Sequence, residues 1–159
     1  MRIMREARMG IAIACGLAGT AACGPTELDQ DALLADRLRA ARQQWEAEGP
    51  ARYSVVVRRS CTNCEGGTEF ATIVVHDGTR VSATLVESGD PVPAPYVALY
   101  LTVPELFDVV EEALDDDAER IIVSYDALFG YPTSIYVDRI SDVLNDELGY
   151  TAHSLTALQ

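Results

Sequence analysis

The sequence contains no lysine. Its 12 basic residues are all arginine, set against 25 acids, and the formal charge is −13. The missing lysine is first a mark of genome composition, but the charge balance excludes partners. Nucleic-acid binding draws most of its affinity from Lys and Arg on phosphates, and this chain repels phosphates. It also lacks a polybasic patch to attract anionic lipids. A strongly acidic surface keeps a protein soluble and monomeric, so a monomer is expected. There are two histidines, His76 and His153, and no Gly-x-Ser-x-Gly elbow. Nucleophilic catalysis therefore has few bases to draw on, and a non-enzymatic role with no cofactor is the expectation. No internal repeat is present, and no apolar run reaches the ~20 residues of a membrane-spanning helix. A chain of 159 residues with 48% hydrophobic content suffices for one domain with its own core.

The first 22 residues read as an address. Arg2, Arg5 and Arg8 form a positive n-region, and Met9 to Ala22 is an uncharged stretch of about 14 residues, the length of a signal-peptide core. It ends in Gly19-Thr20-Ala21-Ala22 before Cys23. Small residues ahead of a cysteine resemble the lipobox of bacterial lipoproteins, in which the cysteine takes a lipid such as palmitate and becomes the new N-terminus. Thr20 departs from the usual Leu. The resemblance implies lipidation of Cys23, a membrane held through that anchor, and an extracytoplasmic place in the cell envelope. Gly24 after it leans to the outer membrane or cell surface. Removing residues 1–22 takes away three Arg and one Glu, which carries the net charge from −13 to −15.

Residues 23–30 read as a tether and residues 31–159 as one α+β domain. Thr26 and Asp29 have the form of a capping box, for a helix running to about Glu48. Leu34, Leu38, Ala41 and Trp45 make its apolar stripe, and Arg37, Arg39, Arg42 and Glu46 lie on a solvated face. Gly49 is expected as a left-handed cap, with Pro50 preventing continuation. Strands follow at Tyr53–Arg59, Glu69–His76 and Thr79–Val86, with Asp77-Gly78 as a two-residue hairpin turn. Residues 87–95 read as loop. Thr102 to Glu105 is a second capping box, opening a helix that buries Leu106, Phe107, Val110 and Leu114 and stops at Asp115-Asp116-Asp117. Strands at Arg120–Tyr125, Thr133–Arg139 and Tyr150–Leu158 complete an order α-βββ-α-βββ. That order predicts an antiparallel sheet of about six strands with two helices packed on one face.

Several short motifs then fall in a recognisable order. They are Trp45, Tyr53, Cys61 with Cys64, His76-Asp77-Gly78, Val103 to Phe107, Tyr125-Asp126, Gly130-Tyr131-Pro132, Asp138, and Asp146 to Tyr150. The chain resembles the domain-of-unknown-function family numbered 6174, a family of bacterial lipoproteins and secreted proteins. The resemblance spans nearly all of residues 23–159 and implies a fold and a location. It brings no activity and no catalytic residues.

Cys61 and Cys64 are the most chemical feature. Once Cys15 leaves with the signal and Cys23 carries lipid, they remain as an even pair in an oxidising compartment. A structural disulfide is expected, because reactive pairs sit at a helix N-terminus and this pair lies between two strands beside Glu65. The alternative is an envelope thiol–disulfide redox protein. Zinc would need His76 and His153 as further ligands, and both read as strand side chains. Asp138, Asp142 and Asp146 are spaced by four and offer oxygen ligands for Ca²⁺, the basis of a calcium-dependent interaction module. The EF-hand pattern is absent, so no metal is expected there. Tyr125, Phe129, Tyr131, Tyr136 and Tyr150 read as core. The favoured role is a domain binding another envelope protein or a small ligand.

Overall fold

The computed structural model describes residues 27–140 and 146–159. Helix α1 (Glu27–Glu48) is followed by strands β1 (Arg52–Cys61), β2 (Ala71–His76) and β3 (Thr79–Leu85). A short 3-10 helix (Ala94–Leu99), helix α2 (Val103–Asp115) and strands β4 (Arg120–Tyr125), β5 (Pro132–Asp138) and β6 (Leu148–Ala157) complete the chain. The six strands form one antiparallel sheet in the order β3-β2-β1-β6-β5-β4. Two three-stranded meanders are thus joined where β1 pairs with β6, with Val57 opposite Ala152 and Cys61 opposite Leu148.

Alternation decides which face is covered. Tyr53, Val55 and Val57 on β1, Ala71, Ile73 and Val75 on β2, and Ile135 and Val137 on β5 are buried together beneath the helices. Their neighbours in sequence point to the other, open face. Side chains sealed as completely as Val55 or Ile73 each contribute about 1.5–3 kcal/mol. From α2, Val103, Leu106, Phe107, Val110 and Ala113 are buried, the three-and-four spacing of one helical face. From α1, Leu38 and Ala41 reach the core, with Leu34 and Trp45 partly buried beside it. Both helices lie on one face, as the element order predicted.

The local signals hold where they are strong. Asp77 and Gly78 take φ of 48° and 78°, both positive as the hairpin turn requires. The Thr102–Glu105 capping box is formed. Several boundaries differ from expectation, among them the start of β2, at Ala71 rather than Glu69. Residues 87–95 are not all loop, since a 3-10 helix begins at Ala94. Strand β1 extends through Cys61, because β6 pairs with it to the end. Strand β6 begins at Leu148 rather than Tyr150 for the same reason. Helix α1 is already formed at Glu27, inside the stretch read as tether. Gly49 is not a left-handed cap, since the positive-φ glycines are elsewhere. It is small because a Cβ there would lie 2.7 Å from the Trp45 indole. The leader with Cys23, and the Thr26–Asp29 capping box, lie outside the described residues or their described side chains. Among the described residues, no helix is long and apolar enough to cross a membrane.

Candidate functional site

A cleft of about 240 Å³ opens where the C-terminal end of α1 meets the N-terminal end of α2. Trp45, Tyr53 and Phe107 supply its aromatic lining, and Arg42 and Glu46 its charges. The turn at Gly49-Pro50-Ala51, with Gly78 and Pro104, completes the wall. The rings are held by one another: Trp45 meets Tyr53 edge-on at 5.3 Å between centroids and Tyr131 at 6.4 Å. Such pairs favour one ring orientation.

Arg42 is the residue that sequence reasoning misplaced. It does not lie on a solvated face. Its guanidinium sits 5.2 Å from the Phe107 ring centroid and donates to Asp108 Oδ1 at 3.1 and 3.2 Å and to Glu111 Oε2 at 2.9 Å. It thereby ties α1 to α2 across the rim. The signal was present: position 42 is four residues after Leu38 and three before Trp45, so it shares the edge of the apolar stripe. Tyr53 and Phe107 read only as core, and a strand or helix pattern carries no sign that a core ring also borders a cleft.

Tyr53 is set by a bond across the fold: the Val103 N–H donates to its hydroxyl oxygen at 3.1 Å. Burial pushes the Tyr53 hydroxyl up to about 12, against the smaller opposing effect of that N–H. Glu105, the capping-box residue, accepts from the Thr102 N–H at 2.6 Å and from Arg80 on β3 at 2.7 Å. The start of α2 is therefore anchored to both β1 and β3.

The cysteines lie at the opposite end of β1. The sulfurs of Cys61 and Cys64 are in contact, in the arrangement of a disulfide, with Cα atoms 5.7 Å apart, inside the range a disulfide spans. Asn63 between them has φ of 57°, which closes the loop tightly. Thr62 donates to Glu147 at 3.4 Å beside it. The pair sits at a strand end, and among the described residues no helix begins beside it to stabilise a thiolate.

The structure does not gather the other candidates. Asp138 ends β5 opposite Arg120. Asp146 accepts the Ile140 N–H at 2.8 Å, which closes its own loop, and Asp142 lies outside the described residues. Among the described residues, no group of three or more His, Cys, Asp or Glu is placed to hold a metal ion. His76 ends β2, and His153 on β6 meets the Phe70 ring at 5.4 Å on the open face. Of the five aromatics read as core, Tyr131 and Tyr150 are buried and Tyr125 and Phe129 pack partly buried against the core, but Tyr136, between buried Ile135 and Val137, is half-buried on the open face of β5.

Fold and cleft together define an α+β domain, one antiparallel sheet with a helix pair on one face and an aromatic cleft at the helix ends. The chain belongs to the Family of unknown function (DUF6174), whose family model matches residues 37–157. No curated protein and no solved structure matches it.

Proposed function

We propose that the protein is an exported lipoprotein, anchored by a lipid on Cys23, whose domain acts outside the cytoplasm as a non-enzymatic binding module of the cell envelope. The observation that carries the binding half is the cleft of Trp45, Tyr53 and Phe107 with Arg42 and Glu46 at its rim. Concave, largely apolar sites with a few charged groups are the usual form of a ligand pocket. A volume near 240 Å³ suits one aromatic or aliphatic group, since a cavity of about 150 Å³ already holds benzene. That group belongs either to a small ligand or to a side chain of an envelope protein. The export half is supported by Gly19 to Cys23 and by the Cys61–Cys64 contact, because disulfides persist in oxidising compartments.

Intact mass spectrometry of protein from the native membrane fraction tests the anchor. A mass of residues 23–159 plus acyl groups, gaining two protons on reduction, is the expected result. An unprocessed mass with free thiols overturns it. Trp45 is the single tryptophan, so its emission reports on the cleft directly. Titration with benzyl alcohol is expected to give a saturable change, and a strictly linear one removes the cleft as a site.

A further inference from the structure

The two edges of the sheet are not alike. Natural proteins blunt edge strands with charges, prolines, bulges or covering segments. The β3 edge is covered along its last three residues: the Leu85 N–H donates to Asp90 O at 2.9 Å, the Val92 N–H donates to Ala83 O at 3.0 Å, and Pro91 bridges Thr84. The β4 edge, Arg-Ile-Ile-Val-Ser-Tyr, holds one charge and no proline, and its register shift falls only at its far end, between Ser124 and Tyr125. Among the described residues, no strand pairs with its outer side. Ile122 there is 47% exposed, and Leu33 of α1, beside the same edge, is 61% exposed.

The pairing with β5 shows which main-chain groups are left over. Glu119 donates to Arg139 O, so in an antiparallel ladder the odd residues 119, 121 and 123 bond toward β5. Arg120 and Ile122 then turn their N–H and C=O groups outward. The carbonyl of Ser124, by contrast, accepts from Thr133 Oγ1 on the β5 side.

We propose that two copies of the chain pair antiparallel through their β4 edges, joining two sheets into one across a two-fold axis. One register uses the outward groups of both residues: Arg120 of each copy bonds Ile122 of the other, and the two Ile121 residues face each other on the axis. Glu119 then meets Val123 and Asp117 meets Tyr125; beyond the strand Asp116, which is paired with Arg139 of its own copy, comes opposite Asp126. A contact of this kind is isologous, as two-fold dimers are. On the helix side it covers the cleft that Leu33, Leu34 and Ile121 line at the edge. The charge of −13, which alone keeps copies apart, becomes a repulsion that salt screens.

The test uses the full chain with Cys15→Ser and Cys23→Ser, which removes the other thiols. In sedimentation velocity the dimer fraction rises with protein concentration, and rises severalfold from about 0.05 M to about 0.5 M salt as the Debye length shrinks. Ile122→Pro removes an outward N–H that the fold does not use, a place where an edge strand tolerates proline. Its circular dichroism is retained and it sediments as a monomer throughout; Ile122→Lys gives the same result should the proline variant fail to fold. Ile121→Cys tests the register. Residues facing at a non-hydrogen-bonded position lie about 4.5 Å apart, so mild oxidation links the copies severalfold better than Val81→Cys on β3. A parent that is monomeric in both salts, a dimer that survives both Ile122 variants, or linkage at Ile121 no better than at Val81 overturns the proposal.

Discussion

Tyr53 on β1 and Val103 at the first turn of α2 are joined by a hydrogen bond of 3.1 Å between residues 50 apart in sequence. The acceptor is a buried phenol oxygen and the donor a buried N–H that no turn of α2 reaches, because the first N–H groups of a helix have no intrahelical partner. Thr102 and Glu105 supply the capping box for this helix; Tyr53 supplies what that box leaves over. Tyr53→Phe keeps the ring and strands the Val103 N–H. The expected loss is about 1–3 kcal/mol, read as a lowered urea midpoint with unchanged slope.

Alkaline pH acts on the same residue. Burial pushes the hydroxyls of Tyr53 and Tyr125 up to about 12, and it raises those of Tyr100, Tyr131 and Tyr150 as well. Below about pH 10, the ordinary tyrosine value, folded and unfolded chains both keep these protons, and the contribution to stability is whole. As pH climbs from there toward 12, the unfolded tyrosines ionise while the folded ones hold their protons. The unfolded state then binds fewer protons, so stability falls with rising pH. The tyrosinate absorbance is expected to rise in a late, cooperative step that coincides with loss of the near-ultraviolet circular dichroism. A gradual rise centred on the ordinary value for all seven tyrosines would show that these rings are not buried as described.

Two glycines with similar backbone angles should respond differently to alanine. Gly130 has φ of +76°, and a Cβ there would lie 2.7 Å from the Ala41 carbonyl of α1, whereas Gly78, at +78°, has nothing within 4 Å. Gly78→Ala meets only the left-handed penalty of about 1–2 kcal/mol. Gly130→Ala meets the same penalty and must also push the 126–131 turn off the helix. Thermal unfolding is expected to rank Gly130→Ala well below Gly78→Ala, and equal losses would contradict the close approach.

The cysteine pair closes a loop with a sequence separation of 3. So short a loop constrains the unfolded chain little, and Cys61→Ser with Cys64→Ser is expected to lower stability by no more than about 2 kcal/mol. A structural bond should also have a reduction potential below about −300 mV. Equilibration with a glutathione buffer measures this, and a pair reduced readily at higher potential would favour the thiol–disulfide redox reading.

Much of the fold was legible because its signals are local. The Asp77-Gly78 turn needs only two residues that accept positive φ, and the α2 cap needs Thr102 and Glu105 three apart. The β1, β2 and β5 faces follow from a two-residue alternation. The cleft was less legible. Arg42 sat on the border between stripe and solvent, and only the position of α2 shows that Phe107, Asp108 and Glu111 await it. Gly49 looked like a cap, and the reason it is small is the indole of Trp45.

By itself, then, the sequence determined the order of helices and strands, the turns between neighbours, and which side of each strand is apolar. These depend on contacts within a few residues, where spacing alone specifies geometry. Only the tertiary structure decided that β1 pairs with β6, setting Tyr53 opposite Ala157. The same pairing leaves β3 and β4 as edges and brings Tyr53 to Val103. Partners so far apart along the chain are chosen by how the whole apolar surface packs, and no local pattern carries that information.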